Sequence, residues 1–185
     1  MRYPWPVAHE IAKTLCAHLS RGCSRIIIAG SLRRRQPDVG DIEILYIPIV
    51  ERVPNPATFF DEMEVNHADT ILHQLLTDGI LAKRKNVKGS EVYGEQNKLT
   101  MHVASGIPVD FFAASESNWF NYLVCRTGPA DSNKAICNAA IARGWKWHPY
   151  GEGFTDEHGR LLRVTDERAA FDLVGLRYRD PEYRV

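Results

Sequence analysis

The chain has 185 residues, 44% of them hydrophobic and 25% charged. That composition fits one globular domain or two small ones and excludes a fibre, a solenoid and a disordered tail. Lys plus Arg and Asp plus Glu each number 23, giving zero net charge, so the basic balance of a tight nucleic-acid binder is missing and any such role must rest on local charge.

Val7, Ile11, Leu15 and Leu19 recur every four residues after Pro4 and Pro6, which predicts an amphipathic helix ending near Gly22. Ile26 to Ile28 form a short buried strand that leaves through Gly30, with Ser31 offered as a helix cap. After Pro37 and Gly40, Asp41 to Ile47 alternates as a second strand, and the prolines from Pro48 to Pro56 mark a loop. A helix follows over Ala68 to Leu76, with Ile71, Leu72, Leu75 and Leu76 inward and Gly79 as its stop. Leu99–Val103 and Ile107–Phe112 flank Ser105-Gly106 as a hairpin. The character changes near Ala113 to Ser117. Ser117 heads a helix through Trp119, Phe120 and Leu123, and Ser132 a second one reaching Gly144. A small sheet built on Trp145, Trp147 and Phe154 follows, then a last helix over Thr165 to Gly175, with Tyr150 split between core and surface.

The four cysteines lack CxxC spacing and the seven His are scattered, so they read as reduced thiols and packed side chains, with no zinc site. The opening MRYPWPVAHE lacks a signal-peptide pattern and no apolar run suits a membrane span, so the expectation is a cytoplasmic protein with no membrane partner.

Residues two apart in a strand share a face, so Asp41 and Glu43 project side by side while Ile42 and Ile44 enter the core. Asp110, in the apolar strand Val109-Asp110-Phe111-Phe112, can bring a third carboxylate alongside. Three oxygen donors suit Mg²⁺ with substrate phosphates as remaining ligands. Gly30-Ser31 at a strand-to-helix turn aims N–H groups and a hydroxyl at an anion, and Arg33 to Arg35 add positive charge. This is the kit for phosphoryl or nucleotidyl transfer.

GSLRRRQPDVGDIEIL resembles the signature of the DNA polymerase X (polymerase beta) family, Gly-Ser-x-Arg-Arg followed by Gly-Asp-hydrophobic-Asp. Arg126-Thr127-Gly128-Pro129, Asn133-Lys134, Arg143-Gly144-Trp145, Tyr150-Gly151 and the closing Tyr178-Arg179-Asp180-Pro181-Glu182-Tyr183-Arg184 resemble the same family's nucleotide-gripping subdomain. The resemblance spans nearly the whole chain. It implies an α+β fold, with a nucleotidyltransferase palm (a mixed sheet with flanking helices) over residues 1–114 and a thumb/fingers subdomain over 115–185.

It also implies a DNA polymerase that fills short gaps, adding dNMP from dNTP to a primer 3′-OH. Asp41, Glu43 and Asp110 would be the catalytic ligands of two Mg²⁺ ions, with Mn²⁺ as a substitute. Gly30, Ser31, Arg34, Gly40, Thr127, Gly128 and Asn133 would bind the nucleotide, and Lys134, Lys83, Lys85, Lys88 and Arg184 the DNA. The alternatives are a nucleotidyltransferase with another acceptor and a non-catalytic nucleic-acid-binding module. Glu43 stands where the family has Asp, Pro108 where many members have an orienting Arg, and Cys125-Arg126 where an aromatic pair screens the sugar. With a single helix before the first strand, the chain resembles the short, lyase-free viral and phage forms. That implies a monomer whose DNA affinity is weak, salt-sensitive and open to help from a protein partner.

Overall fold

The computed structural model describes residues 1–58 and 61–184. In chain order the elements are β1 (Tyr3–Pro4), α1 (Trp5–Leu19), β2 (Cys23–Ile28), α2 (Gly30–Arg33), β3 (Asp38–Val39), β4 (Ile42–Pro48), β5 (Val50–Pro54) and β6 (Glu62–Asn66). Then follow α3 (His67–Thr77), β7 (Leu81–Lys83), β8 (Asn97–His102), β9 (Ile107–Ala113), α4 (Trp119–Thr127), α5 (Ala130–Ile141), β10 (Lys146–Trp147), β11 (Gly153–Thr155), β12 (Leu161–Arg163) and α6 (Ala169–Asp172). The class is α+β. A five-stranded mixed sheet, ordered β2-β4-β9-β8-β7, carries the N-terminal part, and a three-stranded sheet, β10-β11-β12, the C-terminal part.

Among the described residues, β4 and β9 are the only parallel neighbours in the larger sheet. Both are central and buried on both faces, which explains their nearly unbroken apolar runs. Ile42, Ile44 and Tyr46 of β4, with Val109 and Phe111 of β9, join α1 and α3 in one core. The opposite face, through Leu45, Ile47 and Phe112, is covered by Trp119, Tyr122 and Leu123 of α4. A third cluster fills the small C-terminal unit around Ile136, Trp147, Phe154 and Phe171.

Several elements differ from the sequence pattern. The face that α1 buries is Ala8, Ala12, Leu15 and Leu19, while Val7 is 51% exposed, so the helix is turned to set two small side chains against the sheet. The proline-marked segment after Pro48 is the hairpin β5–β6, in which Arg52 faces Glu64 across the ladder at 3.3 Å. Ser31 and Ser132 lie inside the first turns of α2 and α5, and cap neither helix. The expected helix over Thr165 to Gly175 shrinks to α6. The Asp166 carboxylate accepts from the Ala169 N–H at 2.8 Å and so starts the helix late, and Gly175 at φ 70° ends the segment. As expected, Trp147 and Phe154 are core, while Trp145 is only half-buried; Tyr150, split between core and surface in the sequence, is exposed.

Candidate active site

The site lies where the parallel pair β4 and β9 begins. Its register sets Glu43 directly beside Asp110, on the face that α4 covers, and Asp41 two residues before Glu43 belongs to the same face. Glu43 and Asp110 are mostly buried, with side chains 18% and 11% exposed. Burial pushes the Glu43 carboxyl up to about 7, with Asp41 adding to the rise and Arg126 opposing it. Burial likewise lifts Asp110 to about 6 against the pull of Arg84, and raises Asp41. Three crowded carboxylates in a low-dielectric pocket resist ionising together, which is the electrostatic state a cation relieves.

Two arginines supply the countercharge. Arg84, just past β7, donates from one terminal nitrogen to both Asp110 oxygens at 2.5 and 2.7 Å, and its Nε donates to the Thr100 carbonyl at 3.1 Å. It reaches Asp110 across β8 and fills the orienting part that Pro108 cannot play. Arg126, in the last turn of α4, stands 3.6 Å from Glu43 and 3.7 Å above the Phe112 ring, with Tyr122 and Tyr150 also within cation–π reach.

Among the described residues, no three His, Cys, Asp or Glu side chains converge into a ready metal cage. Glu43 is held toward Arg126 and Asp110 toward Arg84. The all-oxygen donor set still suits a hard cation, and both carboxylates carry the arginine partners that such a cation would replace.

The turn from β2 into α2 faces Glu43. Gly30 has φ 62°, a backbone conformation that favours glycine, and a Cβ there would press on the tip of the Glu43 side chain. Ser31 follows, half-buried. Arg34 donates to the Thr127 carbonyl, and its buried Nε has no hydrogen-bond partner among the described residues. Gly40 has open space where a side chain would stand.

Thr127 is fully buried and its hydroxyl accepts from Arg33 at 2.7 Å. Gly128 stands at φ 61° beside Arg34 and precedes the cis peptide to Pro129. The Asn133 amide donates to the Cys125 carbonyl at 2.8 Å, leaving its buried oxygen unpartnered among the described residues. Asp41, Glu43, Asp110, Gly30, Arg34, Thr127 and Gly128 thus belong to one neighbourhood.

The residues expected on DNA do not form one surface. Lys134 is exposed and paired with Asp131, and Lys83 pairs with Glu91, while Lys85 and Lys88 are exposed at and beyond edge strand β7. Lys98, on the neighbouring strand β8, is only 2% exposed and pairs with Asp69 at 2.9 Å. Arg184 departs most. It is 3% exposed, donates to the Arg179 carbonyl and lies 3.2 Å from Glu167, so its guanidinium is a buried strut turned away from solvent. Glu167 in turn takes both terminal nitrogens of Arg33 at 2.9 and 2.5 Å. Arg33, Glu167 and Arg184 therefore brace α2 to the C-terminal unit.

A further cavity lies elsewhere. It measures about 590 Å³ between α1 and the β2 edge, and none of the three carboxylates lines it.

Residues 122–185 match the family model described as DNA polymerase beta thumb. Among solved structures, a Leishmania infantum polymerase beta ternary P/T complex is similar over 100% of this chain and 77% of that one, with TM-score 0.73 and 19% identity. Comparison with the sequences of curated proteins gave no match. The chain has the polymerase beta fold, and its residues 122–185 match a thumb of that type. Among the described residues, no helix is long and apolar enough to cross a membrane.

Proposed function

We propose that this chain is a metal-dependent nucleotidyltransferase, acting as a template-directed DNA polymerase that fills short gaps. The observation that carries the reading is the β4–β9 register, which seats Glu43 beside Asp110 and next to Asp41, opposite the Gly30 turn, in a chain with a polymerase beta thumb. In this reading residues 1–114 are the palm and 115–185 the gripping subdomain. DNA and dNTP are the partners, and the chain acts as a monomer in the cytoplasm.

Asp41, Glu43 and Asp110 would hold two Mg²⁺ ions, or Mn²⁺ in their place. When bound, these ions supply charge stabilisation at the entering and leaving oxygens. Gly30 gives the triphosphate a close approach to backbone N–H groups, while Ser31 and the free Nε of Arg34 donate to its oxygens. Thr127, Gly128 and Asn133 shape the sugar and base side, and Lys134 lies beside the nascent pair. The primer 3′-oxygen forms a bond to the α-phosphorus, the bond to the β-bridging oxygen breaks, and pyrophosphate leaves. Asp110, oriented by Arg84, is the carboxylate placed to accept the hydroxyl proton. Lys83, Lys85 and Lys88 would contact DNA phosphates.

The test is single-nucleotide addition with Mg²⁺ or Mn²⁺ and each dNTP in turn, on a gapped duplex and on a single strand. Addition of only the complementary nucleotide to the gapped duplex supports the reading, and Asp41→Ala should abolish it with the fold intact. Equal addition without a template would assign the site to another acceptor. No addition to any 3′ end would leave a binding module.

A further inference from the structure

Most lysines and arginines of this neutral chain are already spent on carboxylates: Arg25, Arg33, Arg35, Arg52, Lys83, Arg84 and others all sit in ion pairs. One cluster without such partners lies near the C-terminus. Arg168, Arg177 and Arg179 are exposed, and among the described residues none of their guanidinium groups meets a carboxylate or donates a hydrogen bond. They surround two tyrosines. Tyr178 is fixed edge-on against Phe171 with ring centroids 5.6 Å apart, and Arg168 lies 4.9 Å from its ring. Tyr183 is 68% exposed.

Arg177 and Arg179 line two adjoining cavities. One, of about 520 Å³, also takes in Arg168, Tyr178 and Tyr183. The other, of about 340 Å³, runs to Asp131 and Ser132 in the first turn of α5. Three unneutralised guanidiniums held together repel one another unless an anion joins them, and Asp180 is the one acid lining the larger cavity.

We propose that this surface binds single-stranded nucleic acid, and specifically the unpaired 5′ continuation of the template strand. Phosphates bridge Arg168, Arg177 and Arg179, and an unpaired base stacks on Tyr183. A duplex offers no free base face to that tyrosine, which is why the patch suits a single strand. The choice of strand rests on the polymerase reading. The smaller cavity opens at the α5 turn that carries Asn133 and Lys134, so a template leaving the nascent pair there passes next over Arg177 and Arg179.

The experiment is fluorescence anisotropy of the full chain, without metal or dNTP, on a labelled DNA hairpin. One form carries a single-stranded 5′ extension and the other is blunt. The native chain should bind the extended form more tightly. Replacing Arg168, Arg177 and Arg179 together by Ala should lower its affinity by about tenfold, to that of the blunt form. The slope of log affinity against log salt should fall by about 2, since each single-strand phosphate contact contributes about 0.7.

Tyr183→Ala should weaken the extended form by about fivefold and leave that slope alone. The three Lys replacements, which keep charge, should retain the slope and control for misfolding. An unchanged affinity in the Ala variant overturns the proposal, as does equal loss on both hairpins, which would mean a duplex contact. A native chain without preference for the extension also overturns it and turns the patch toward an acidic protein surface. An Asp41→Ala chain should keep the preference. A native chain that shows it but adds no nucleotide sinks the polymerase reading, and with it the choice of strand, and leaves single-strand binding by this surface standing.

Discussion

Glu43 and Asp110 hold their protons more tightly folded than unfolded, Glu43 with a value of about 7 and Asp110 with about 6. Between the unfolded carboxylate range and those values the native state binds more protons than the unfolded one. Stability therefore falls as pH rises through that window. The expected melting temperature drops from pH 5 to pH 7.5, and Glu43→Gln, which cannot ionise, flattens part of that drop. Added Mg²⁺ should restore stability mainly at the upper end, where the carboxylates are free of protons. A profile that instead rises with pH in both proteins would show that Arg84 and Arg126 overcome burial at this site.

Arg84 carries a second expectation. With Pro108 in the strand, Arg84 is the cation that meets both Asp110 oxygens among the described residues, and a carboxylate displaced by about 1 Å can cost about a hundredfold in rate. Arg84→Ala should lower kcat for nucleotide addition by about that factor with little change in KM for dNTP. Arg84→Lys should recover only part of it, because a single ammonium cannot hold Asp110 and the Thr100 carbonyl together as the terminal nitrogen and Nε of Arg84 do. The carboxylates were legible in the sequence because period two is a local rule. Arg84 was hidden because a basic run reads as a solvated surface until strand order brings one member across β8. Arg126 gave a fainter signal, a lone charge in an apolar helix.

At the scale of elements, helix and strand patterns were readable wherever one face met one core, as in α3 and the β8–β9 hairpin. They misled where an element served a second partner. The pairing of β5 with β6 needs a register that no single strand announces. Glu167, which reads as a first-turn acid favoured by a helix dipole, instead joins Arg33 and Arg184, and the α-helix starts two residues later. All three side chains of this brace are under a fifth exposed, so removing the shared carboxylate leaves two guanidiniums uncompensated. Glu167→Ala should cost about 3 kcal/mol. For a chain of this length that is roughly 6 to 12 °C in melting temperature, readable by thermal denaturation. A shift below 2 °C, about what a solvent-exposed pair gives, would mean the brace is screened.

At the scale of the whole molecule, zero net charge first counts against nucleic acid, yet the ion-pair pattern shows where the neutrality comes from: most cations are consumed internally and a few are concentrated. The same view bears on cooperativity. α4 presents Trp119, Tyr122 and Leu123 to the larger sheet and Val124 to the C-terminal core, so one helix belongs to two packing units. The Arg33–Glu167–Arg184 brace ties them again at the other end of that helix. Two cores sharing a helix and a partly buried ion network should open together. In hydrogen exchange of the native chain, the most protected amides of α3 and α5 should therefore report the same opening free energy. Glu167→Ala removes one tie while leaving the apolar one. In that variant α5 should lose protection before α3, with the gap closing again at low temperature only if the shared α4 contacts suffice. Amides of α5 that already exchange faster than those of α3 in the native chain would show that the two units fold separately and that α4 packs on the sheet as a passive cover.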